Sequence, residues 1–280
     1  MAFIELKIRF TKSDPWKDVY TALLSEVGCD SFMDGDNDTE LLAYIKEENY
    51  DEKVIKELLT QHPYGAVIDF QTQHIEEQNW NAVWEANYAP VIIENQCYIR
   101  APFHPHRPEI PYEILIEPKM SFGTAHHETT YLMITYLLEL NLEGKNILDM
   151  GAGTGILAIL AYKRGAKHCV AIDNDPWAYH NNLENNEHNH ITDMDVRLGD
   201  ANSLTSDDHF DLVIANINRN ILLNDMPYYV KTMNKHAHIL FSGFYDGKDL
   251  EIIKEKAQSL GLTFVNNKVR NQWTAAQFCK

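Results

Sequence analysis

The alternation of apolar and polar positions divides the chain into a short leading part and a longer second part. The first ten residues alternate apolar and charged side chains, which indicates a half-buried strand rather than a secretion signal. Further apolar segments continue in the order β-α-β-β-α-β, which is typical of a ferredoxin-like domain. We therefore predict a small α+β domain over residues 1–75 and expect it to recognise the substrate.

The segment 76–90 has the pattern of a helix with one aromatic face. Trp80, Trp84 and Tyr88 recur at four-residue intervals, so their rings fall on the same side of the helix. A stripe of this kind usually serves packing, and we interpret it as a linker helix between two domains. Residues 91–280 then form the second domain.

Residues 91–280 alternate runs of strand length with helical segments, which predicts a doubly wound α/β domain with a Rossmann-like sheet. The connection between the third and fourth strands of this sheet is so short that its helix must be short or absent. Two extended runs, Thr263–Arg270 and Trp273–Cys279, follow the last helix and predict an antiparallel hairpin.

A glycine-rich turn follows the apolar run Asn146–Met150. Its glycines, Gly151, Gly153 and Gly155, lead directly into an apolar helix. A strand, a glycine turn and a helix open the nucleotide-binding unit of doubly wound domains, because glycine lets a ligand approach the backbone. The next apolar run ends in Asp173, where such folds place the carboxylate that binds ribose hydroxyls.

The spacing of the glycines distinguishes between candidate ligands. A dinucleotide fingerprint, G-x-G-x-x-G, requires a glycine where this chain has Ile156. No lysine followed by serine or threonine comes after the turn, so the pattern is not that of a nucleoside-triphosphate loop either. A nucleoside without phosphates fits better, and S-adenosylmethionine is the common example. The alternative is an ordinary glycine-rich turn that binds no ligand.

Charge restricts the kind of partner. The chain has 24 basic and 41 acidic residues, a net charge of −17, which argues against direct binding to nucleic acid and favours a basic protein partner. Residues 1–76 contribute 7 − 16 = −9 of this charge, so the small domain is a candidate dock for a basic protein. A solvated surface that only confers solubility is the alternative.

The cysteines indicate the compartment. Cys29, Cys97, Cys169 and Cys279 lie far apart without a C-x-x-C spacing, which predicts a cytoplasmic protein with reduced thiols and no metal site. No apolar run approaches the roughly 20 residues that span a bilayer, so we expect no membrane association. The acidic run Asp34–Asp38 lacks the ligand spacing of a calcium loop and is interpreted as a hairpin turn.

Five stretches form a characteristic set: EPKMSFGTAHHETT (Glu117–Thr130), ILDMGAGTGILAI (Ile147–Ile159), AIDNDP (Ala171–Pro176), DLVIANI (Asp211–Ile217) and LFSGF (Leu240–Phe244). Together they resemble the ribosomal protein L-eleven methyltransferase family (PrmA type). The resemblance implies a class I methyltransferase that uses S-adenosylmethionine to methylate amino groups, on lysine side chains and/or the α-amine, of a large-subunit ribosomal protein. The chain departs from the usual family loop at Ala125, His126 and Glu128, which affects the expected shape of the substrate mouth.

The resemblance also implies the cofactor contacts. It places Thr130, Gly151, Asp173 and Asn216 at the cofactor, and Gly153 would let the turn lie close to it. Thr130 would help bind the methionine carboxylate at a helix N-terminus, and Asp173 would accept hydrogen bonds from both ribose hydroxyls. The amide carbonyl of Asn216 would orient the incoming amine. The alternatives are helix caps for Thr130 and Asp173 and a loop asparagine for Asn216.

Methyl transfer to an amine depends on alignment and on a neutral amine, so we expect no dedicated base. A dry pocket favours the neutral amine by destabilising its cation. His126 and His127 are therefore interpreted as structural. Asp200 is a candidate acceptor for the adenine amino group, by analogy with class I enzymes.

Three other functions stay open at this point. One is a NAD-dependent oxidoreductase, and another is a catalytically dead Rossmann-fold module that binds ribosomes. The third is a methyltransferase that acts on nucleic acid or small molecules, although the net negative charge argues against a nucleic-acid substrate.

Overall fold

The computed structural model describes residues 3–60, 66–75, 88–119 and 121–280. The chain forms two compact units, Met1–Asn87 and Tyr88–Lys280. Most of the predicted linker helix, including Trp80 and Trp84, falls outside the described residues.

The first unit is built around an antiparallel sheet. Its elements are β1 (Phe3–Phe10), α1 (Trp16–Glu26), β2 (Cys29–Asp34), β3 (Glu40–Lys46), α2 (Glu52–Thr60) and β4 (Val67–Ile75). The strands lie in the order β2-β3-β1-β4, and neighbouring strands run antiparallel. Alternate side chains of β1 are buried against α1 and α2, because side chains of a strand point to opposite faces. The order of elements along the chain is β-α-β-β-α-β.

The second unit has a larger set of elements. They are β5 (Val91–Ile93), β6 (Cys97–Arg100), β7 (Tyr112–Leu115), α3 (Glu128–Glu139), β8 (Asn146–Met150), α4 (Ile156–Lys163), β9 (His168–Asp173), α5 (Pro176–His188), β10 (Asp195–Leu198), β11 (Phe210–Asn216), α6 (Arg219–Thr232), β12 (Met233–Tyr245), α7 (Lys248–Ser259), β13 (Thr263–Arg270) and β14 (Trp273–Cys279).

A seven-stranded, mainly parallel sheet forms the centre of this unit. Its order is β10-β9-β8-β11-β12-β14-β13, and the strands from β10 to β12 are parallel. β14 runs antiparallel to both β12 and β13. The predicted α/β class with a Rossmann-like parallel sheet is confirmed. The short connection between β10 and β11 contains only the 3-10 turn Ala201–Ser203 among regular elements.

The strand order determines where a ligand can bind. β8 lies between β9 and β11, so the chain leaves β8 in one direction along the sheet and later returns to its other side. Open parallel sheets bind ligands at such a reversal point, outside the carboxyl ends of the strands. The glycine turn after β8, Asp173 at the end of β9 and Asn216 at the end of β11 all lie at this edge.

Helix α5 is buried through asparagine side chains. Asn185 donates to the Thr154 carbonyl of the glycine turn (2.9 Å) and accepts from the Glu117 backbone N–H (2.8 Å). Asn189, directly after the helix, bonds both the N–H and the carbonyl of Leu115. Buried amides are retained only when they are hydrogen-bonded, so these bonds hold the glycine turn and α5 against the end of β7 and the residues that follow it.

None of the helices within the described residues is long and apolar enough to cross a bilayer.

We predict that Asn185→Ala lowers the free energy of unfolding by about 2–3 kcal/mol, because it leaves the buried Thr154 carbonyl and the Glu117 N–H without partners. Asn181→Ala is the matched control, since Asn181 is equally buried but makes only a 3.4 Å hydrogen bond to Glu117. Urea unfolding of both variants measures the difference. Equal losses would contradict the assigned role of Asn185.

Candidate functional site

A cavity of about 500 Å³ opens at the carboxyl ends of β8, β9 and β11. Four of the five predicted cofactor residues line it: Gly151, Gly153, Asp173 and Asn216. The fifth, Thr130, is fully buried directly behind Asn216. A smaller cavity of about 60 Å³ shares Gly151 and Asp173 with the first and is lined by Asp200. The structure thus brings every predicted site residue to one place.

The glycine turn has a backbone that only glycine adopts without strain. Gly151, Gly153 and Gly155 have φ values of +69°, +55° and +80°. A Cβ on Gly153 would lie 2.2 Å from the carbonyl oxygen of Phe122. That carbonyl accepts a hydrogen bond from the Thr154 N–H (2.9 Å), so the absent side chain lets a neighbouring loop close onto the turn. We call Ser121–His127 the loop before α3.

Asp173 connects the turn to the next strand. Its Oδ2 accepts from the Gly153 N–H (2.8 Å), and its Oδ1 accepts from the Asp175 N–H (3.0 Å). The cap of helix α5 is Asp175, which accepts from the Trp177 N–H, so the helix-cap alternative for Asp173 is wrong. Each oxygen of a carboxylate accepts two hydrogen bonds, and Asp173 therefore keeps one acceptor site on each oxygen.

The loop before α3 supplies the cap of that helix. The Nδ1 atom of His127 accepts from the Thr129 N–H (3.2 Å). The same Nδ1 atom also lies 2.8 Å from the Thr129 hydroxyl. The ring of His126 contacts the carbonyl oxygen of Ala89 at 2.8 Å. The capping role therefore belongs to His127 rather than to Thr130.

Asn216 presents an unsatisfied acceptor. Its side-chain N–H₂ group donates to the Thr130 hydroxyl at 3.4 Å, which fixes the direction of the amide. Its Oδ1 atom is buried and has no hydrogen-bond partner within the described parts of the chain. A buried acceptor without a donor is costly, so a ligand that brings an N–H group would be stabilised there.

These groups fit S-adenosylmethionine. Two spare acceptor sites on Asp173 suit a pair of ribose hydroxyls, and the orphaned Oδ1 of Asn216 suits an amine. In the ranges that the structure describes, no cluster of three or more His, Cys, Asp or Glu side chains could hold a metal ion.

Two residues of the site, Asp149 and Trp273, were not identified from the sequence. Asp149 is fully buried one residue before the end of β8, and burial raises its pKa to about 7; the Ala158 N–H opposes this rise, and the nearby Asp173 adds to it. The sequence signal that could have revealed Asp149 is an acidic residue within an apolar strand.

Trp273, at the start of β14, also lines the cavity and packs against His127, with ring centroids 4.7 Å apart. Nothing local in the sequence places a residue so far along the chain at this site.

Comparison with known proteins agrees with the geometry. The sequence profile of the family "Ribosomal protein L11 methyltransferase (PrmA)" matches residues 9–280. The ribosomal protein L11 methyltransferase of Phocaeicola vulgatus is 44% identical over 278 residues, which cover 98% of each chain. That of Porphyromonas gingivalis is 48% identical over 263 residues and covers 93% of this chain and 90% of its own.

This chain belongs to the PrmA family. A crystal structure of ribosomal protein L11 methylase from Lactobacillus delbrueckii subsp. bulgaricus is 25% identical, with a TM-score of 0.64 over 68% of this chain and 98% of that one. The predicted family and the prediction of an S-adenosylmethionine-dependent protein methyltransferase are confirmed. Nothing in these comparisons favours the oxidoreductase or the dead ribosome-binding module.

We predict a pH-dependent difference in stability between this chain and its Asp149→Asn variant. The pKa of Asp149 rises from 3.8 in the unfolded chain to about 7 in the folded chain, so only the folded chain retains the proton between these values. The wild type therefore loses stability as the pH rises through this window, by up to about 1.4 kcal/mol per pH unit. Asparagine does not titrate. Urea unfolding from pH 4 to pH 8 should show the wild type falling relative to the variant, and parallel curves would contradict the assignment.

Proposed function

We propose that this PrmA-family chain methylates amino groups, on lysine side chains and/or the α-amine, of ribosomal protein L11. The observation that carries the proposal is the buried, unpaired Oδ1 atom of Asn216, a residue that lines the cavity beside the glycine turn. An acceptor of this kind suits a substrate that brings an N–H donor. The names of the relatives support L11 as the protein that carries it.

We assign the cofactor contacts to Thr130, Gly151, Gly153, Asp173 and Asn216. The spare acceptor sites of Asp173 would receive the two ribose hydroxyls. Thr130 lies in the first turn of α3, where the helix dipole favours a carboxylate, although its buried hydroxyl acts through Asn216. Asp200 lines the adjoining small cavity and would accept from the adenine amino group.

The chain's own contribution to the reaction is alignment. Bound S-adenosylmethionine supplies a methyl group on a positively charged sulfur. The Oδ1 atom of Asn216 would accept an N–H of the neutral amine and so direct the nitrogen lone pair. Thr130 keeps the amide in this orientation. The ring of His127 also lines the cavity, but its Nδ1 atom is occupied by the helix cap, which supports a reaction without a dedicated base.

The first unit would hold the substrate. Its order of elements and its β2-β3-β1-β4 sheet support a ferredoxin-like fold, and the antiparallel β13–β14 pair supports the class I methyltransferase form of the second unit. The net charge of −9 in residues 1–76 suits a basic ribosomal protein. Four free cysteines support a cytoplasmic location.

We predict that Asp173→Ala weakens binding of S-adenosylhomocysteine by about 100-fold, because it removes the ribose acceptors and releases the Gly153 N–H from its partner. Isothermal titration calorimetry measures the affinity. Asp207→Ala is the control, since it removes the same charge from an exposed loop residue that does not line the cavity. Unchanged affinity in Asp173→Ala would contradict the role of this carboxylate.

We predict that Asn216→Ala lowers kcat for L11 methylation by about 100-fold, because the amine loses its orienting acceptor. Asn218→Ala is the matched control: Asn218 lines the same cavity but caps α6 by accepting from the Ile221 N–H (3.1 Å). Its loss should reduce stability and leave kcat within a few-fold.

Purified L11 and labelled S-adenosylmethionine, with mass spectrometry of the product, measure both variants and test the function itself. Wild-type enzyme should add whole methyl groups to amines of L11. If L11 gains no methyl group while the enzyme binds S-adenosylhomocysteine, the substrate assignment is wrong and the cofactor assignment stands.

A further inference from the structure

A second cavity lies at the opposite edge of the second unit. Its volume is about 680 Å³, and none of its lining residues lines the candidate active site. It is bounded by the carboxyl ends of helices α4 and α5, at Lys163 and His188, and by the proline-rich segment after β6. The glycine turn precedes the other end of α4, so the length of that helix separates the two cavities.

The walls of this cavity are cationic, although the chain as a whole carries a charge of −17. Arg100, Arg107 and Lys163 line it, and Glu113 is the one acidic side chain among its described lining residues. Three positive charges against one carboxylate leave an excess of two. His106 and His190 add further nitrogen atoms to the wall.

Glu113 is fully engaged in hydrogen bonds and forms no ion pair with Lys163 or with the guanidinium of Arg107. Its Oε1 accepts from Arg100 Nε (2.7 Å), and its Oε2 accepts from the Arg107 backbone N–H (3.0 Å) and contacts His106 Nδ1 (2.6 Å). These bonds, with its Arg100 charge partner, lower the pKa of Glu113 against the effect of burial. The carboxylate thus fixes the shape of the wall.

Two cations of the wall form no ion pair with an acidic side chain among the described residues. The ammonium of Lys163 is half-buried and makes no hydrogen bond or ion pair with any described residue. Burial lowers its pKa, and the more distant Glu113 and Cys97 oppose this effect. Arg107 is an exposed residue whose guanidinium lies over the ring of Tyr98 at 5.4 Å and has no acidic partner in the described part of the chain. A half-buried cation without an anion is stabilised by any ligand that supplies one.

We propose that this cavity binds a phosphate group, with Lys163 and Arg107 as its charge partners. The excess of two positive charges matches a phosphate dianion, and a guanidinium offers paired N–H donors to its oxygens. The phosphate belongs either to a small phosphorylated compound, whose monoester is a dianion, or to an RNA backbone, whose diester carries one negative charge. Both present anionic phosphate oxygens to these side chains. The site would recognise its ligand at short range, because the net charge of the chain repels polyanions at a distance.

Calorimetric titration of the full chain with inorganic phosphate at low ionic strength tests the proposal. The wild type should bind saturably with a Kd below about 1 mM. Lys163→Met and Arg107→Gln, which keep most of the side-chain length, should each weaken binding by about tenfold or more. Lys167→Met is the matched control, since Lys167 is an exposed lysine four residues further along, in the connection between α4 and β9, and does not line the cavity. Binding of S-adenosylhomocysteine should be the same in all four proteins, which shows that the variants are folded.

A second titration with a fluorescent single-stranded RNA distinguishes the two sources. RNA binding that free phosphate displaces and that both variants lose assigns the site to an RNA backbone. Phosphate binding without RNA binding assigns it to a small phosphorylated compound. The proposal is overturned if the wild type binds no phosphate, or if Lys167→Met loses as much affinity as Lys163→Met.

Discussion

The hydrogen bond from the Gly153 N–H to the carboxylate of Asp173, 2.8 Å long, is the contact on which the candidate active site depends. It joins the turn after β8 to the end of β9, at the point where the order of the sheet reverses. Because the same turn also bonds the carbonyl of Phe122 through Thr154, three separate parts of the chain meet at one glycine. The geometry offered to a nucleoside is therefore set by hydrogen bonds within the chain before any ligand arrives.

Two acidic residues of this site, Asp149 and Asp173, have different roles because their surroundings differ. Asp149 is buried inside the sheet, and burial raises its pKa. One of its oxygens accepts from the Ala158 N–H, and the other has no partner among the described residues. Asp173 lies at the cavity wall and accepts from two backbone N–H groups. The first acid therefore belongs to the packing of the turn, and the second is placed to meet a ligand.

The sequence predicts those parts of the site that depend on local spacing. The glycine turn and Asp173 follow from positions along two consecutive strands, and the fold class follows from the alternation of strands and helices. Asn216 required the resemblance to a family, because an asparagine after a strand has no distinctive pattern of its own. Its link to Thr130 crosses 86 positions and follows only from the folded structure.

Other features of the fold cannot be predicted from local sequence patterns, because they depend on contacts between distant parts of the chain. The asparagines of α5 and of its C-terminal cap look like a solvated helix face, yet Asn185 and Asn189 are buried and bond to distant backbone groups of Thr154 and Leu115. Strand β12 extends over Met233–Tyr245, well beyond its apolar centre, because β11 pairs with it at Met233 and at His238–Ser242 and β14 pairs with it as far as Tyr245. Trp273 reaches the cavity through the register of β14 against β12. Long-range pairing decides each of these cases.

A crystal structure of this PrmA-family chain with S-adenosylhomocysteine tests the central claim most directly. We expect both ribose hydroxyls at about 2.5–3.0 Å from the carboxylate oxygens of Asp173, with the hydrogen bond from the Gly153 N–H intact and Asn216 beside the space from which the amine would approach the methyl group. A ligand bound elsewhere, or a ribose that leaves Asp173 without contact, would contradict it.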